Sequence, residues 1–358
     1  MKSVHSYQHI ICPSVDGNPR NGEGSVVELA DGRLLLVYGE FYGGSDGSMA
    51  TLQGLYSADG GRSWEGKHLV QPNIGGRNVM SASLLRLACG DILLSFLRKD
   101  SPRAQCTPFV RRSADEGRTW SEALPVTPVS ETYYVVNNDR LVQLRGGRVL
   151  MPASTYAPGF ANLGDRVFFS DDNGRTWRAP AVHPFLPESK VGAQEPGVIE
   201  LRDGGVMMWC RSDLNAIHRC YSRDGGETFG PWTETGLKAP CAPSSMKRVP
   251  STGDLLCLHN DSSRAMEHWC MTRSPLTAAL SSDDGATWRV VGDVEPDREH
   301  TYCYTSINFL RDGGILLTYY LGSWVERVED GRLLRSQPCL RHLKAGVFPV
   351  EWLYRNRS

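Results

Sequence analysis

One octapeptide, Ser-x-Asp-x-Gly-x-Thr-Trp, recurs along the chain and constrains its fold more than any other feature. The Asp of this motif can accept hydrogen bonds from nearby backbone amides, and the Gly supplies the positive φ that a tight hairpin requires. Five copies, roughly 50 to 60 residues apart, indicate a repeat architecture. The copies are SADGGRSW from Ser57, SADEGRTW from Ser113, SDDNGRTW from Ser170, SRDGGETF from Ser222 and SSDDGATW from Ser281.

A second repeat runs in phase with the first and consists of an apolar run, a short turn that contains Gly, and another apolar run. This pattern is typical of a β-hairpin, and it occurs six times. The six segments are VVELADGRLLLVY from Val26, LLRLACGDILLSF from Leu84, RLVQLRGGRVLMP from Arg140, GVIELRDGGVMMW from Gly197, KRVPSTGDLLCLH from Lys247 and INFLRDGGILLTY from Ile307. Six hairpins predict an all-β, six-bladed β-propeller that spans residues 1–358 as one domain. Because a closed ring protects its edges, we expect a strand from the C-terminus to pair with one from the N-terminus.

Charge and composition limit the classes of partner. The 39 Lys and Arg balance 40 Asp and Glu, so neither a nucleic acid nor a membrane is predicted as a partner. The opening segment MKSVHSYQHI lacks the apolar core of a secretory signal, which predicts a cytoplasmic location, or a secreted or periplasmic one if a leader has been removed. The sequence makes no prediction of oligomeric state.

The cysteines and histidines show no spacing that predicts a metal site, and we predict neither a metal nor a cofactor. Six of the ten cysteines lie in or beside apolar runs, and for these we predict buried free thiols. They are Cys89, Cys210, Cys220, Cys257, Cys270 and Cys303.

The octapeptides resemble the Asp boxes, or BNR repeats, of the sialidase (neuraminidase) superfamily, and the resemblance covers essentially the whole chain. It implies that the boxes lie on outer hairpins, away from the active site, so the chemistry must come from the segments between them. In this family the substrate carries a carboxylate on its anomeric carbon. A carboxylate nucleophile would be repelled there, which is why sialidases use a neutral Tyr activated by a Glu. Arginines bind the substrate carboxylate, and an Asp protonates the leaving oxygen.

Three segments match this requirement. QEPGVIELRDGGVMMWCR is similar to the family segment with a Glu-Pro before a hairpin, which implies Glu195 as the base and Arg211 as a carboxylate ligand. In HTYCYTSINFLRDGG the position of the nucleophile corresponds to Tyr304, with Tyr302 as a nearby competitor and substrate contact. Arg273, shortly before the fifth box, corresponds to a second arginine of the carboxylate clamp.

The first blade departs from the family pattern. Sialidases carry an aromatic-Arg-Ile-Pro motif there, whereas this chain has PRNGEGS from Pro19. Arg20 is the natural replacement for the first clamp arginine, but it lies further from the following turn, so a complete clamp of three arginines stays an open question. The polar, Gly-rich loop FYGGSDGSM offers Asp46 as the general acid.

Two further segments, NVMSASLLRL from Asn78 and YYVVNNDRLVQL from Tyr133, place polar residues at the entry of an apolar hairpin, where inner strands face the central funnel. Asn138, Asp139 and Arg140 either contact substrate or form a buried polar network that braces neighbouring blades. Arg98 and Lys99, after the second hairpin, can supply further positive charge to the site.

These residues predict a retaining exo-glycosidase for an α-linked sialic acid or related nonulosonic acid, with an acidic-sugar glycoside or glycan as its partner. One alternative is a glycosidase or lyase acting on another acidic sugar, such as a deoxy-ulosonic acid or a uronate. Another is a carbohydrate-binding propeller without catalytic activity.

Overall fold

Each predicted hairpin forms part of a four-stranded antiparallel sheet, and six such sheets make up the fold. The computed structural model describes residues 6–130, 132–156, 162–180, 184–264, 273–329 and 332–355, with only the backbone described at 325–329 and 332–338. The prediction of an all-β, six-bladed propeller is confirmed.

The strands follow one another blade by blade along the chain. The chain begins with β1 (Tyr7–Cys12). The first blade contains β2 (Arg20–Glu28), β3 (Leu34–Phe41), β4 (Ala50–Ser57) and β5 (Glu65–Gln71). The second contains β6 (Asn78–Arg86), β7 (Ile92–Lys99), β8 (Cys106–Ser113) and β9 (Leu124–Pro125). The third contains β10 (Tyr134–Val135), β11 (Val142–Gln143), β12 (Val149–Tyr156) and β13 (Leu163–Ser170).

The remaining strands complete the ring. The fourth blade contains β14 (Gln194–Glu200), β15 (Val206–Arg211), β16 (His218–Ser222) and β17 (Thr233–Glu234). The fifth contains β18 (Ser245–Arg248), β19 (Leu255–Asn260), β20 (Leu276–Ser281) and β21 (Arg289–Glu295). The sixth contains β22 (Thr301–Phe309), β23 (Gly314–Glu329) and β24 (Arg332–Pro349). Two short 3₁₀ helices lie at Ser262–Arg264 and Val350–Tyr354.

The N-terminal strand closes the ring, as predicted. Strand β1 pairs antiparallel with β24 and becomes the outer strand of the sixth blade, with Tyr7 opposite Val347. Because every sheet then has four strands, the closing blade matches the other five, and the C-terminal strand β24 does not end as an open edge.

In the first, second, fourth and fifth blades the octapeptide forms the turn between the third and fourth strands, and in the third blade it follows β13 and leads to a single bridge between Phe169 and Arg178. In the third copy, the amide of Thr176 donates to Asp172 Oδ1 at 2.9 Å, and Gly174 has a φ of 81°. The Trp177 indole donates to the Gly174 carbonyl at 3.2 Å, so the aromatic ring lies against the turn. The predicted roles of the Asp and the Gly in this motif are confirmed.

Six clusters of buried apolar residues each lie between two adjacent blades, and a smaller seventh cluster contains Leu186, Ala193 and Cys210. Between the fifth and sixth blades, for example, Leu256 packs in one cluster with Ile307 and Leu317. The sixth and first blades share a cluster that contains Leu316, Leu343 and Leu36. Burial between blades holds the ring together, because each sheet covers the apolar face of its neighbour.

The cysteine predictions are largely confirmed. Cys210, Cys220, Cys257 and Cys303 are buried free thiols, whereas Cys89 is exposed because it occupies the turn of the second hairpin. Cys270 lies outside the described residues. In the described ranges, no helix has the length and apolar character needed to cross a membrane.

Candidate active site

A β-bulge recurs at the same place in the inner strand of four blades. In each bulge one extra residue interrupts the pairing with the second strand, between Gly22 and Ser25 in the first blade and between Cys303 and Ser306 in the sixth. The first bulged residue has a left-handed backbone in all four cases: Glu23 (φ 53°), Ser81 (φ 60°), Glu195 (φ 47°) and Tyr304 (φ 57°). All four side chains line one pocket on the propeller axis. Bulges turn a side chain out of the regular alternation of a strand, and here they turn four side chains toward a common point.

The spacing to the hairpin turn shows that these positions are equivalent. Each bulged residue stands nine residues before the turn glycine of its hairpin, as Glu23 stands before Gly32 and Tyr304 before Gly313. The same count leads to Asn138 in the third blade and Ser244 in the fifth. The count therefore marks one position in each hairpin, Glu23, Ser81, Asn138, Glu195, Ser244 and Tyr304, but the left-handed backbone occurs at four of them and falls on Asp139 in the third blade.

Tyr304 and Glu195 meet in this pocket. The Tyr304 hydroxyl donates to Glu195 Oε1 at 3.3 Å, and Arg211 Nη2 lies 3.2 Å from the same oxygen. The guanidinium carbon of Arg273 lies 5.2 Å from the centroid of the Tyr304 ring. Four of the residues predicted from sequence thus form one cluster of a phenol, a carboxylate and two guanidinium groups.

Burial raises the pKa of the Tyr304 phenol above its ordinary value, and the neighbouring Glu195 carboxylate raises it further. The charges of Arg211 and Arg273 act in the opposite direction. Tyr304 is therefore a neutral phenol in the free protein. To act as a nucleophile it must transfer its proton during the reaction, and Glu195 is the acceptor already in contact with it.

Arg20 lies in the same region, and its guanidinium is fully engaged. Nη1 donates to Asp46 Oδ1 at 2.5 Å, Nη2 to Glu23 Oε1 at 2.6 Å, and Nε to the Tyr320 hydroxyl at 2.8 Å. The ring of Phe41 covers one face of the guanidinium, 4.2 Å from its central carbon, and only 2% of the residue is exposed. The structure therefore brings Arg20 to the site but pairs it with two carboxylates of the protein.

The two carboxylates beside Arg20 differ in pKa. Burial raises the pKa of Glu23, and the charge of Arg20 only partly offsets this effect. Burial also disfavours ionisation of Asp46, but the charges of Arg20, Lys99 and Arg273 outweigh it and lower the pKa of Asp46 below its ordinary value. Asp46 lies in an exposed loop, whose backbone is held by Asn78 through bonds to the carbonyls of Asp46 and Ser48.

The pocket around these groups encloses about 70 Å³. Its wall on the side of the second and third blades contains Lys99 and Tyr133 beside the apolar side chains of Met80, Leu97 and Cys106. A larger cavity of about 460 Å³ lies at the opposite ends of the inner strands, where Val198 and Met246 are among its lining residues. That cavity contains neither Tyr304 nor Glu195, so the smaller pocket is the candidate active site. Among the residues with described positions, no group of His, Cys, Asp and Glu is arranged to hold a metal ion.

Asn138, Asp139 and Arg140 link blades across the axis. Asp139 accepts hydrogen bonds from Ser25 in the first blade at 3.0 Å and from the Ile307 amide in the sixth at 3.2 Å, and it pairs with Lys247 in the fifth at 2.9 Å. Asn138 donates to the carbonyls of Gly24 and Tyr304, and Arg140 to that of Ser244. All three are buried. These contacts favour the bracing alternative over substrate contact.

Two predicted site residues lie apart from the cluster. The Tyr302 ring is buried between the fifth and sixth blades, where it meets the Tyr319 ring edge-on at 6.2 Å. Arg98 pairs with Asp100 at 3.1 Å and lies over the Phe109 ring. Neither side chain lines the pocket, because Tyr302 precedes the bulge and Arg98 points to the opposite face of its strand from Lys99.

Sequence reasoning missed Glu23, Ser81, Tyr133 and Tyr320 as site residues. The count of nine residues back from the turn glycine would have found Glu23 and Ser81, because it is the same for Glu195 and Tyr304. Tyr320 stands opposite Cys303 at the edge of the sixth-blade bulge, and its ring lies 5.8 Å from that of Tyr304. No sequence pattern distinguishes Tyr133 or Tyr320 from tyrosines of the core.

Comparisons with known proteins agree with this architecture. The sialidase of Micromonospora viridifaciens is 28% identical over 235 residues, which cover 60% of this chain and 34% of that protein, so the chain spans about a third of that relative's length. A variant of the NanB sialidase from Streptococcus pneumoniae has the same fold, with a TM-score of 0.73 at 15% identity over 97% of this chain and 71% of that one.

A protein of unknown function from Dyadobacter fermentans also shares the fold, with a TM-score of 0.73 at 17% identity over 96% of this chain and 98% of that one. The sequence model of the BNR repeat-like domain matches residues 90–317, which is more than half of the chain. The chain therefore belongs to the BNR repeat-like family of the sialidase superfamily.

Proposed function

We propose that this protein is a retaining exo-glycosidase that hydrolyses the glycosidic bond of an α-linked sialic acid or a related nonulosonic acid. The observation that carries the proposal is the contact between the Tyr304 hydroxyl and Glu195 Oε1, with Arg211 and Arg273 beside them. The names of the curated relatives, which are sialidases, support the same class of substrate.

In the first step Tyr304 Oη attacks the anomeric carbon while its proton passes to Glu195. The bond between the anomeric carbon and the leaving oxygen breaks, and Asp46 supplies the proton to that oxygen. Arg211 and Arg273 hold the carboxylate on the anomeric carbon and thereby orient the sugar over Tyr304. Because the tyrosine is neutral, it approaches this carbon without the repulsion that a carboxylate nucleophile would meet.

In the second step water attacks the same carbon and displaces Tyr304, which recovers its proton from Glu195. Asp46, now ionised, accepts the proton of the water. The lowered pKa of Asp46 in the free protein suits this second role, and the first role requires that substrate binding raise that pKa. Two displacements at one carbon retain its configuration.

A second candidate, action on another acidic sugar such as a deoxy-ulosonic acid or a uronate, is supported by one observation. The guanidinium of Arg20 is paired with Glu23 and Asp46, so the carboxylate clamp consists of Arg211 and Arg273 in this structure. A different arrangement of the acidic group on the sugar would suit a clamp altered in this way.

The test is release of 4-methylumbelliferone from its α-sialoside and from other acidic-sugar glycosides. Tyr304→Phe should lower kcat by about 10²–10⁴-fold, because the nucleophile is removed. Tyr302→Phe is the matched control, since this neighbouring tyrosine is packed in the core. Full activity of Tyr304→Phe would overturn the proposal, and ligand binding without turnover in the wild type would favour a carbohydrate-binding propeller.

A further inference from the structure

Lys99 presents a buried ammonium group to the pocket. It is the last residue of β7, only 5% of it is exposed, and it lines the same cavity as Tyr304 and Glu195. Its nearest aromatic neighbour is Tyr133, whose ring centroid lies 5.4 Å from Nζ. Among the residues that the structure describes, no carboxylate comes within 4.0 Å of Nζ. A buried ammonium without such a partner is costly, and a ligand with the opposite charge would offset that cost.

Arg20 is the contrasting cation of the site. Its three nitrogens donate to Asp46, Glu23 and Tyr320, so its charge is neutralised within the protein. Lys99 contacts the ring and the hydroxyl of Tyr133, and a neutral phenol is a weaker partner than a carboxylate. On this side of the pocket the positive charge available to a ligand therefore belongs to Lys99.

Lys99 and the clamp arginines come from different blades. Lys99 comes from the second blade, whereas Arg211 ends a strand of the fourth and Arg273 precedes β20 of the fifth. In a ring of six, the second and fifth blades face each other across the axis. Lys99 and Arg273 therefore reach the site from opposite blades, and we expect them to meet different anionic groups of one sugar.

We propose that Lys99 and Tyr133 form a second anion subsite, which binds an oxyanion substituent of the sugar, a carboxylate, sulfate or phosphate ester, across the pocket from Arg211 and Arg273. The proposal rests on the proposed function, since it assigns the clamp arginines to the first carboxylate. The cavity of about 70 Å³ suits a small group of this kind, because roughly 10–15 Å³ of such volume holds one water. Met80, Leu97 and Cys106 form apolar walls beside Lys99 and Tyr133, and the Ser81 hydroxyl on this side already donates to Glu23.

The catalytic cycle gains from an anion at this position. The positive charges of Arg20, Lys99 and Arg273 hold Asp46 in its ionised form. An oxyanion beside Lys99 would offset one of these charges, and a carboxylate beside Arg273 would offset another. Binding of a doubly anionic sugar would thus favour the protonated form of Asp46, which the first step of hydrolysis requires.

The first arm of the test measures binding of inorganic sulfate to the full chain by calorimetry. Lys99→Gln should weaken sulfate binding by about tenfold or more, which is the loss of one close charge pair. Arg98→Gln is the matched control, because this adjacent cation pairs with Asp100 outside the pocket and should change binding by less than about twofold. Equal affinity of Lys99→Gln and wild type would overturn the subsite. Unchanged circular dichroism and Tm establish that each variant is folded.

The second arm compares kcat/KM for 4-methylumbelliferyl α-sialoside with that for the same sugar carrying a sulfate ester. The sulfated sugar should be preferred by wild type, and Lys99→Gln should remove the preference. The same preference in both proteins would overturn the assignment to a sugar substituent, even where free sulfate binds. If no sialoside is hydrolysed but Lys99-dependent sulfate binding persists, the proposed function fails while the anion subsite stands.

Discussion

Glu195 Oε1 accepts a hydrogen bond from the Tyr304 hydroxyl at 3.3 Å and lies 3.2 Å from Arg211 Nη2, so one carboxylate oxygen contacts both the phenol and the guanidinium. Glu195→Gln should lower kcat by about 10²–10⁴-fold, because a neutral amide cannot accept the phenol proton. The measurement is steady-state hydrolysis of the 4-methylumbelliferyl α-sialoside.

The control for this prediction lies on the same strand. Glu200 ends β14 and pairs with Arg145 at 3.0 Å, far along the strand from the pocket. Glu200→Gln should therefore leave kcat within about twofold of wild type. A Glu195→Gln protein with the same kcat as the Glu200→Gln control would exclude Glu195 as the base.

Arg20 is predicted to matter for folding as well as for activity. Arg20→Met would leave Glu23, which is 1% exposed, without its ion-pair partner, and breaking a buried pair from one side costs about 3–5 kcal/mol of the free energy of unfolding. Adding Glu23→Gln should restore part of this loss because it removes the uncompensated charge. Urea unfolding of the single and double variants is the measurement, and a double variant less stable than Arg20→Met would contradict the explanation.

Asp165 should make stability fall as pH rises. It is buried, accepts a hydrogen bond from Ser154 at 2.7 Å, and burial raises its pKa to about 8, although the Ser154 bond lowers it somewhat. The unfolded chain releases this proton near pH 3.8, whereas the folded protein keeps it up to about pH 8. The native state therefore binds more protons in this window, and the free energy of unfolding decreases from about pH 4 to pH 8.

Asp165→Asn should remove this pH dependence. The variant is expected to gain stability over wild type as pH rises from 4 to 8, by on the order of a few kcal/mol at the upper end. Thermal unfolding at several pH values is the measurement. The exposed Asp203→Asn should give no such gain, since Asp203 is paired with Arg223 at the surface and its pKa is lowered by that contact. Parallel pH profiles for wild type and Asp165→Asn would show that Asp165 is ionised in the native state.

Asp139 is predicted to stabilise the ring rather than to act on substrate. Asp139→Ala would leave the buried Ile307 amide and Ser25 hydroxyl without their acceptor, at a cost of about 2–4 kcal/mol in the free energy of unfolding. Chemical denaturation of the variant and of wild type measures this difference in the free energy of unfolding. Asp31→Asn, at an exposed position beside Arg33, should change it by less than about 0.5 kcal/mol. A loss of substrate affinity in Asp139→Ala without a loss of stability would favour substrate contact instead.

The fold could be predicted from sequence because its signals are local and repeated. Each hairpin and each octapeptide turn depends on residues only a few positions apart, such as Asp172, Gly174 and Trp177, and every repeat gives the same prediction independently. Closure by β1 followed from the same reasoning, since the sixth hairpin lacks an octapeptide and needs an outer strand from elsewhere.

The site could be predicted only in part, because bulges break the alternation of a strand. Tyr302 and Tyr304 are two residues apart and would share a face in a regular strand, yet the left-handed backbone at Tyr304 sends only that ring into the pocket. Arg98 and Lys99 are adjacent and so face opposite sides, and the sequence does not show which side faces the axis. The partners of Arg20 are Glu23, Asp46 and Tyr320. Because Tyr320 lies 300 residues away along the chain, no local pattern predicts this set.

The four bulged positions that line the pocket have a consequence for how such a protein can diverge. Since the backbone already directs each of these side chains to one point, a single codon change at any of them replaces a reacting group without rebuilding the scaffold. The backbone thus fixes where these side chains point, whichever residue occupies the position. New specificities in this architecture can arise by exchange of these side chains, while the apolar core between the blades stays unchanged.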